Sequence, residues 1–132
     1  VGDVGDLGSV GGLFDPQGPR GEFITGLEPI GDEVIIEKRM PNAFNDTGLQ
    51  RALEKLGPLD LIVCGFMSHS SVSTTVRAAK DYGFRCTLVE DACATRDLPT
   101  ANGVISAADV QRTEMAIMND TFASLPRTQN LI

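Results

Sequence analysis

The sequence predicts an α/β domain built on a parallel sheet, and three observations carry that expectation. Short apolar or β-branched runs recur at Glu33–Glu37, Asp60–Cys64 and Arg85–Glu90. Segments with helical spacing separate them, giving strand–helix order along the chain. Leu61-Ile62-Val63-Cys64 is apolar at successive positions, the pattern of a strand covered on both faces.

Residues 1–31 hold nine of the 14 glycines and three of the seven prolines, so they read as a long loop or arm. A segment this irregular inside a compact domain implies a lid, a partner-binding arm or the remnant of a shortened unit. Its GDVGDLG and GSVGG stretches are not phosphate loops, because no apolar strand precedes them and no lysine–serine pair follows. Glu33–Glu37 follows as a β-branched strand. Asp46 or Thr47 then caps a helix with Leu49, Leu53 and Leu56 on one face and Gly57 as its stop. Asp60–Cys64 is the next strand. Ser70–Tyr82 is a helix with Val72, Val76, Ala79 and Tyr82 turned inward, ended by Gly83. Arg85–Glu90 is a third strand. Ser106 caps a last helix with Asp109 as its capping-box partner. Thr121–Leu125 makes a short fourth strand, stopped by Pro126.

The bulk numbers narrow the function. A chain of 132 residues suits one domain, and 42% apolar with 22% charged residues suits a globular one. Eleven basic against 18 acidic residues give a net charge of -7, which argues against a nucleic-acid surface. No run reaches about 18 apolar residues, so no membrane span is expected. The start, VGDVGDLGSVGG, lacks the basic and apolar regions of a signal peptide. Three cysteines, Cys64, Cys86 and Cys93, form no CxxC pair and read as reduced thiols of a cytoplasmic protein. With His69 as the single histidine, no metal site is expected from this chain alone.

Chemistry is expected at the hinge Gly65–Ser71, since ligands of such sheets bind at the carboxyl ends of strands. Ser71 admits two readings. It is a helix-capping hydroxyl, as Ser68 and Ser70 are, or a nucleophile whose oxyanion meets helix N-terminal donors. Lys38, directly after a strand, is either a solvated lysine or a cation that stabilises charge on a substrate or nucleophile. His69 is either a general base or a polar loop residue. Glu90 and Asp91 either face the same crevice or cap the following turn.

KRMPNAF (Lys38–Phe44), TGL (Thr47–Leu49), LIVCGFMSHSSV (Leu61–Val72) and TLVEDACA (Thr87–Ala94) stand in the order and spacing of a known family. From about Gly26 to the C-terminus the chain resembles the isochorismatase-like cysteine hydrolases, which include nicotinamidases and N-carbamoylsarcosine amidohydrolases. The resemblance implies a three-layer αβα fold on a six-stranded parallel sheet of order 3-2-1-4-5-6. It implies a hydrolase, an amidohydrolase acting on a small amide or ureide, with an Asp–Lys–Cys triad. Lys38 takes the lysine place and Ser71 the cysteine place. A cis peptide is implied between Phe66 and Met67, and an oxyanion hole from the N–H groups of Met67 and Ser71. Phe44, His69 and Ser68 are implied as pocket residues. No cofactor is expected, and zinc only through ligands on a segment outside this chain. A small-molecule substrate and a homo-oligomer are the partners expected.

Two departures shape the expectation. Serine at position 71 means an engineered replacement, a natural serine nucleophile, or chemistry without a covalent step; a non-catalytic binding or structural relative is the alternative to an enzyme. The family's aspartate, which ends a first strand ahead of D-x-Q, is not found before Lys38; Asp3 and Asp6 sit among glycines. Residues 1–132 are therefore expected to be an incomplete domain, with arm 1–31 and core 32–132 lacking the first two strands. The strands at 33–37 and 60–64 would then stand about 14 Å apart, three spacings of ~4.8 Å. An N-terminal companion segment or chain of roughly 60–80 residues would fill the gap and bring the aspartate.

Overall fold

The computed structural model describes residues 15, 17–19, 21–57 and 60–131. At its centre lies a parallel pair of strands, β1 (Asp60–Phe66) and β2 (Arg85–Ala94). Parallel neighbours need a crossover. It consists of a π-helical turn, Ser68–Val72, continued by α2 (Ser73–Asp81). Helix α1 (Leu49–Glu54) precedes β1. A small antiparallel hairpin, β3 (Leu98–Thr100) and β4 (Gly103–Ile105), leads into α3 (Ala107–Ile117). A second π-helical turn, Met118–Phe122, prolongs α3.

One apolar cluster joins these parts. Val76 and Ala79 of α2, Cys86 and Leu88 of β2, and Met115 of α3 with Met118 beyond it are buried together. Leu61 and Val63 pack against them. The helical spacing of Val72, Val76 and Ala79 therefore does what it predicts: one stripe faces the sheet. Ser106 caps α3, its Oγ accepting from Asp109 N–H at 3.1 Å and donating to Asp109 Oδ2 at 2.9 Å.

The β1–β2 pairing breaks where β1 turns toward the hinge. Val63 pairs with Leu88, and Gly65 next pairs with Cys93. Two steps along β1 match five along β2, so β2 carries a bulge there. Gly65 sits at this break with φ of +129°, a conformation side-chain-bearing residues rarely adopt.

Several expectations are corrected. Residues 33–37 form no strand; Val34 and Ile35 are exposed, and no described neighbour offers them a ladder. β1 is longer than its apolar run and is covered on one face only, with Ile62 at 67% exposure and Cys64 and Phe66 also outward. Helix α1 starts at Leu49 after Gly48, and Leu56 falls outside it at 72% exposure. Tyr82 is exposed at α2's end, although its ring meets Phe44 at 5.0 Å. The strand expected at Thr121–Leu125 shrinks to a single parallel bridge, Thr87↔Ser124, because Thr121 and Phe122 stay helical. Ser124 still joins the sheet: Leu88 N–H donates to its carbonyl (2.8 Å) and its N–H to Cys86 O (3.0 Å). The hairpin β3–β4 had no counterpart among the expected elements. The first 14 residues of the arm, with Asp3 and Asp6, lie outside the described residues, and the six-strand order is not represented among the described strands.

Candidate functional site

Lys38 is buried, at 3% exposure, which removes the solvated reading. Its Nζ donates to Ser71 Oγ at 3.2 Å, Met40 O at 3.1 Å and Pro41 O at 3.3 Å. The loop after Lys38 is fastened to α2 by Thr75, whose Oγ1 accepts from Ala43 N–H (3.0 Å) and donates to Pro41 O (3.4 Å). α2 thus fixes both partners: Ser71 two residues ahead of its first residue, and the lysine loop through Thr75.

The capping reading of the serines fails on geometry. Met67 stands at the N-cap of the π-helical turn without a side-chain cap, and Val72 at that of α2 likewise. Ser71 Oγ accepts from Lys38, and Ser73 Oγ donates to Glu114 Oε1 at 2.5 Å across to α3. Ser68 is fully buried, its Oγ 2.5 Å from Gln111 Oε1 and 3.0 Å from Ala94 O. The Phe66–Met67 peptide, immediately before Ser68, is cis. An ammonium against a hydroxyl at a helix start can stabilise negative charge on that oxygen or on an atom bonded to it.

His69 is half-buried beside this hinge, its Nδ1 2.5 Å from Thr95 Oγ1. Phe44 is placed elsewhere: buried in the core, its ring lies against Tyr82 (5.0 Å) and Phe84 (6.1 Å), beyond the C-terminal end of α2. Glu90 and Asp91 hold the C-terminal segment instead of lining a crevice with Lys38. Arg127 lies 3.7 Å from Glu90, and Asp91 accepts from Thr128 N–H and Oγ1, both at 2.9 Å. An open groove lined by Glu90, Gln111, Arg112, Met115 and Leu125 includes neither Lys38 nor Ser71. None of the three thiols takes the place of a nucleophile. Burial pushes the Cys86 and Cys93 thiols up, toward the unreactive protonated form, and Cys64 lies on the outward face of β1. Among the described residues no group of three His, Cys, Asp or Glu side chains is placed to hold a metal.

Two residues escaped the sequence reading. Gln111 gave no signal beyond its place on a helix. Asp15, at 9% exposure, does begin a D-x-Q (Asp15-Pro16-Gln17), but within the glycine-rich arm. Its Oδ1 accepts from Gln17 N–H (2.9 Å) and its carbonyl from Gly18 N–H (3.0 Å), closing a turn.

The Asp91 contact has a pH signature. The two Thr128 donors, N–H first, hold the Asp91 carboxyl below the usual range. A depressed folded value stabilises the contact above the ordinary carboxylate range and loses it as pH falls through the depressed value. The Thr128 amide resonance is expected to keep its hydrogen-bonded shift through about pH 4 and to lose it below. An Asp91→Asn variant should show no such titration.

The isochorismatase domain family matches residues 5–127. The uncharacterised isochorismatase family protein YddQ of Bacillus subtilis is 36% identical over 122 residues, covering 92% of this chain and 68% of its own. A streptothricin hydrolase of Streptomyces noursei is 33% identical over 123 residues, covering 91% and 45%. Among solved structures, an isochorismatase from Pseudomonas putida superposes with a TM-score of 0.92 at 67% identity, covering 96% of this chain and 66% of that one. The chain thus spans about two thirds or less of the length of these relatives. A domain match along most of the sequence and the same α/β fold with its parallel sheet lead to one assignment: the chain belongs to the isochorismatase family.

Proposed function

We propose that the Lys38–Ser71 site is the active site of a hydrolase acting on a small amide or ureide C–N bond. The observation that carries this is the buried Lys38 ammonium 3.2 Å from Ser71 Oγ. A lysine held away from water against a hydroxyl at a helix start suits charge stabilisation better than structural bracing alone. The streptothricin hydrolase relative supports a hydrolytic reaction by its name.

In this reading Ser71 Oγ attacks the substrate carbonyl carbon, and a carboxylate from outside the described residues takes its proton. The developing oxyanion is met by the N–H groups of Met67 and Ser71, with Lys38 stabilising the charge at Oγ. Collapse breaks the C–N bond, the nitrogen leaves with the transferred proton, and water then cleaves the acyl-serine. His69 and Ser68 share the π-helical turn with Ser71, their side chains bonded to Thr95 and to Gln111 and Ala94. The test is turnover of a panel of small amides by the whole protein and by its Lys38→Met, Ser71→Ala and Ser71→Cys variants.

The carboxylate is proposed to arrive on a companion strand–helix segment that covers the outward face of β1. Ile62, Cys64 and Phe66 expose apolar surface there, in the middle of what the family builds as a covered sheet. In the 132-residue chain alone, iodoacetamide is expected to label Cys64 readily, and in the whole protein at least about tenfold more slowly. Equal labelling in both would leave that face uncovered and remove the companion segment from the proposal.

A further inference from the structure

We propose that Gln111 of α3 is a positioning residue for the Ser71 nucleophile, locking the hinge that carries Ser71 to the bulge of β2. The inference rests on the hydrolase reading above, and goes beyond it to a residue outside the triad.

The amide of Gln111 has one orientation that fits. Its Nε2 lies 3.3 Å from Glu90 O and 3.3 Å from Cys93 O, two acceptors that only the NH2 end can serve. Its Oε1 therefore faces Ser68 Oγ, 2.5 Å away, and is the nearer of that hydroxyl's two acceptors, Ala94 O lying at 3.0 Å. A single planar group then joins three elements. Glu90 belongs to the stretch where β1–β2 pairing is interrupted, and Cys93 is where pairing resumes. Ser68 begins the π-helical turn in which Ser71 lies. Two turn bonds run from Ser70 N–H (3.0 Å) and Val72 N–H (3.3 Å) to Met67 O, so a shift at Ser68 is passed to Ser71 through this short turn.

The arrangement suits positioning better than stability. Backbone pairing of β1 with β2 ends at Phe66↔Ala94, and Glu90 lies in the interrupted stretch. Beyond that pair the hinge is tied to β2 through side chains, Ser68 to Ala94 O and Gln111 to Glu90 O and Cys93 O. Gln111 makes its ties from a helix buried at Val110 and Met115, on either side of it in sequence. A nucleophile moved by about 1 Å from its attack geometry loses about 10²-fold in rate.

The experiment uses Gln111→Leu and Gln111→Glu in the whole protein. Gln111→Leu keeps bulk and removes every polar atom. It is expected to lower kcat about 10- to 100-fold while KM stays within about threefold, since no substrate contact is lost. Gln111→Glu sets a carboxylate oxygen against two carbonyl oxygens. It is expected to be equally slow at neutral pH and to recover as pH falls and the protonated acid can donate again. Should Gln111→Leu fail to fold, Ser68→Ala severs the same link at its other end and is expected to give the same kcat loss. A second readout needs no turnover: in a Ser71→Cys background, the rate of iodoacetamide labelling at position 71, resolved by peptide mass spectrometry, is expected to fall severalfold with Gln111→Leu. If that labelling slows while the wild type hydrolyses nothing, Gln111 keeps its role and the hydrolase reading falls. An unchanged labelling rate, or folded variants that lose only thermal stability, would overturn the positioning role.

Discussion

Lys38→Met is expected to lower kcat about 10²- to 10³-fold, the usual loss when one preorganised charge-stabilising group is removed. Methionine keeps the stem and gives up the ammonium, so the change isolates charge from packing. The substitution also withdraws a donor from Met40 O and Pro41 O, which the lysine bonds at 3.1 and 3.3 Å. Met40 and Pro41 are exposed and Pro41 O keeps its bond from Thr75, so water replaces much of the lost donor and the stability cost is about 1 kcal/mol or less. Both effects are measured together, by thermal unfolding and by kcat on the folded protein. If the lysine merely braced the loop after it, Lys38→Met would melt earlier and turn over at the wild-type rate, and the proposed role would be gone. Lys38→Arg provides a check on geometry. It restores a cation, but a planar fork does not reproduce a compact ammonium aimed at one oxygen, so only partial rescue is expected.

Replacement of Ser71 separates the chemistries that a serine at this position allows. Ser71→Ala is expected to abolish turnover, by about 10⁴-fold or more, since loss of a nucleophile is the largest single-residue effect in such sites. Ser71→Cys is expected to raise turnover about tenfold or more. A thiolate is reached far more easily than an alkoxide, and the Lys38 ammonium already lies 3.2 Å from the reacting atom. Covalent labelling of residue 71 by an acylating substrate, read by intact mass, checks the acyl intermediate directly. Ser71→Ala with activity retained would mean hydrolysis without a bond to residue 71. Silence in the wild type and in Ser71→Cys together would assign the chain to a binding or structural role.

Much of this could be read in the residues themselves. Runs of Val, Ile and Leu marked β1 and β2, although both strands extend beyond them. The Val72/Val76/Ala79 stripe marked the inner face of α2, and Ser106 with Asp109 marked the start of α3. KRMPNAF and LIVCGFMSHSSV named Lys38 and Ser71 as partners although 33 positions separate them. Apart from that pair, which the family resemblance supplied, these features are local: apolar periodicity and capping need only neighbouring residues.

Other features had no local cause. Residues 33–37 carry a strand's composition, yet a strand exists only where another backbone completes its hydrogen bonds, and none of the described elements does so. Ile62 and Phe66 look like core residues because hydrophobicity says that a face should be covered, not what covers it. Phe44 sits within the lysine motif but packs into the core, since a ring goes where Tyr82 and Phe84 leave room for it. Gln111 carries no pattern; its meaning lies in three oxygens brought within 3.3 Å from Ser68, Glu90 and Cys93. Sequence alone marked β1, β2, α1, α2 and α3, together with the family and the two side chains, Lys38 and Ser71, that meet at the hinge. Tertiary structure decided burial, because whether Lys38 meets water or Ser71 depends on distant segments folding back around it, and no window along the chain contains them all.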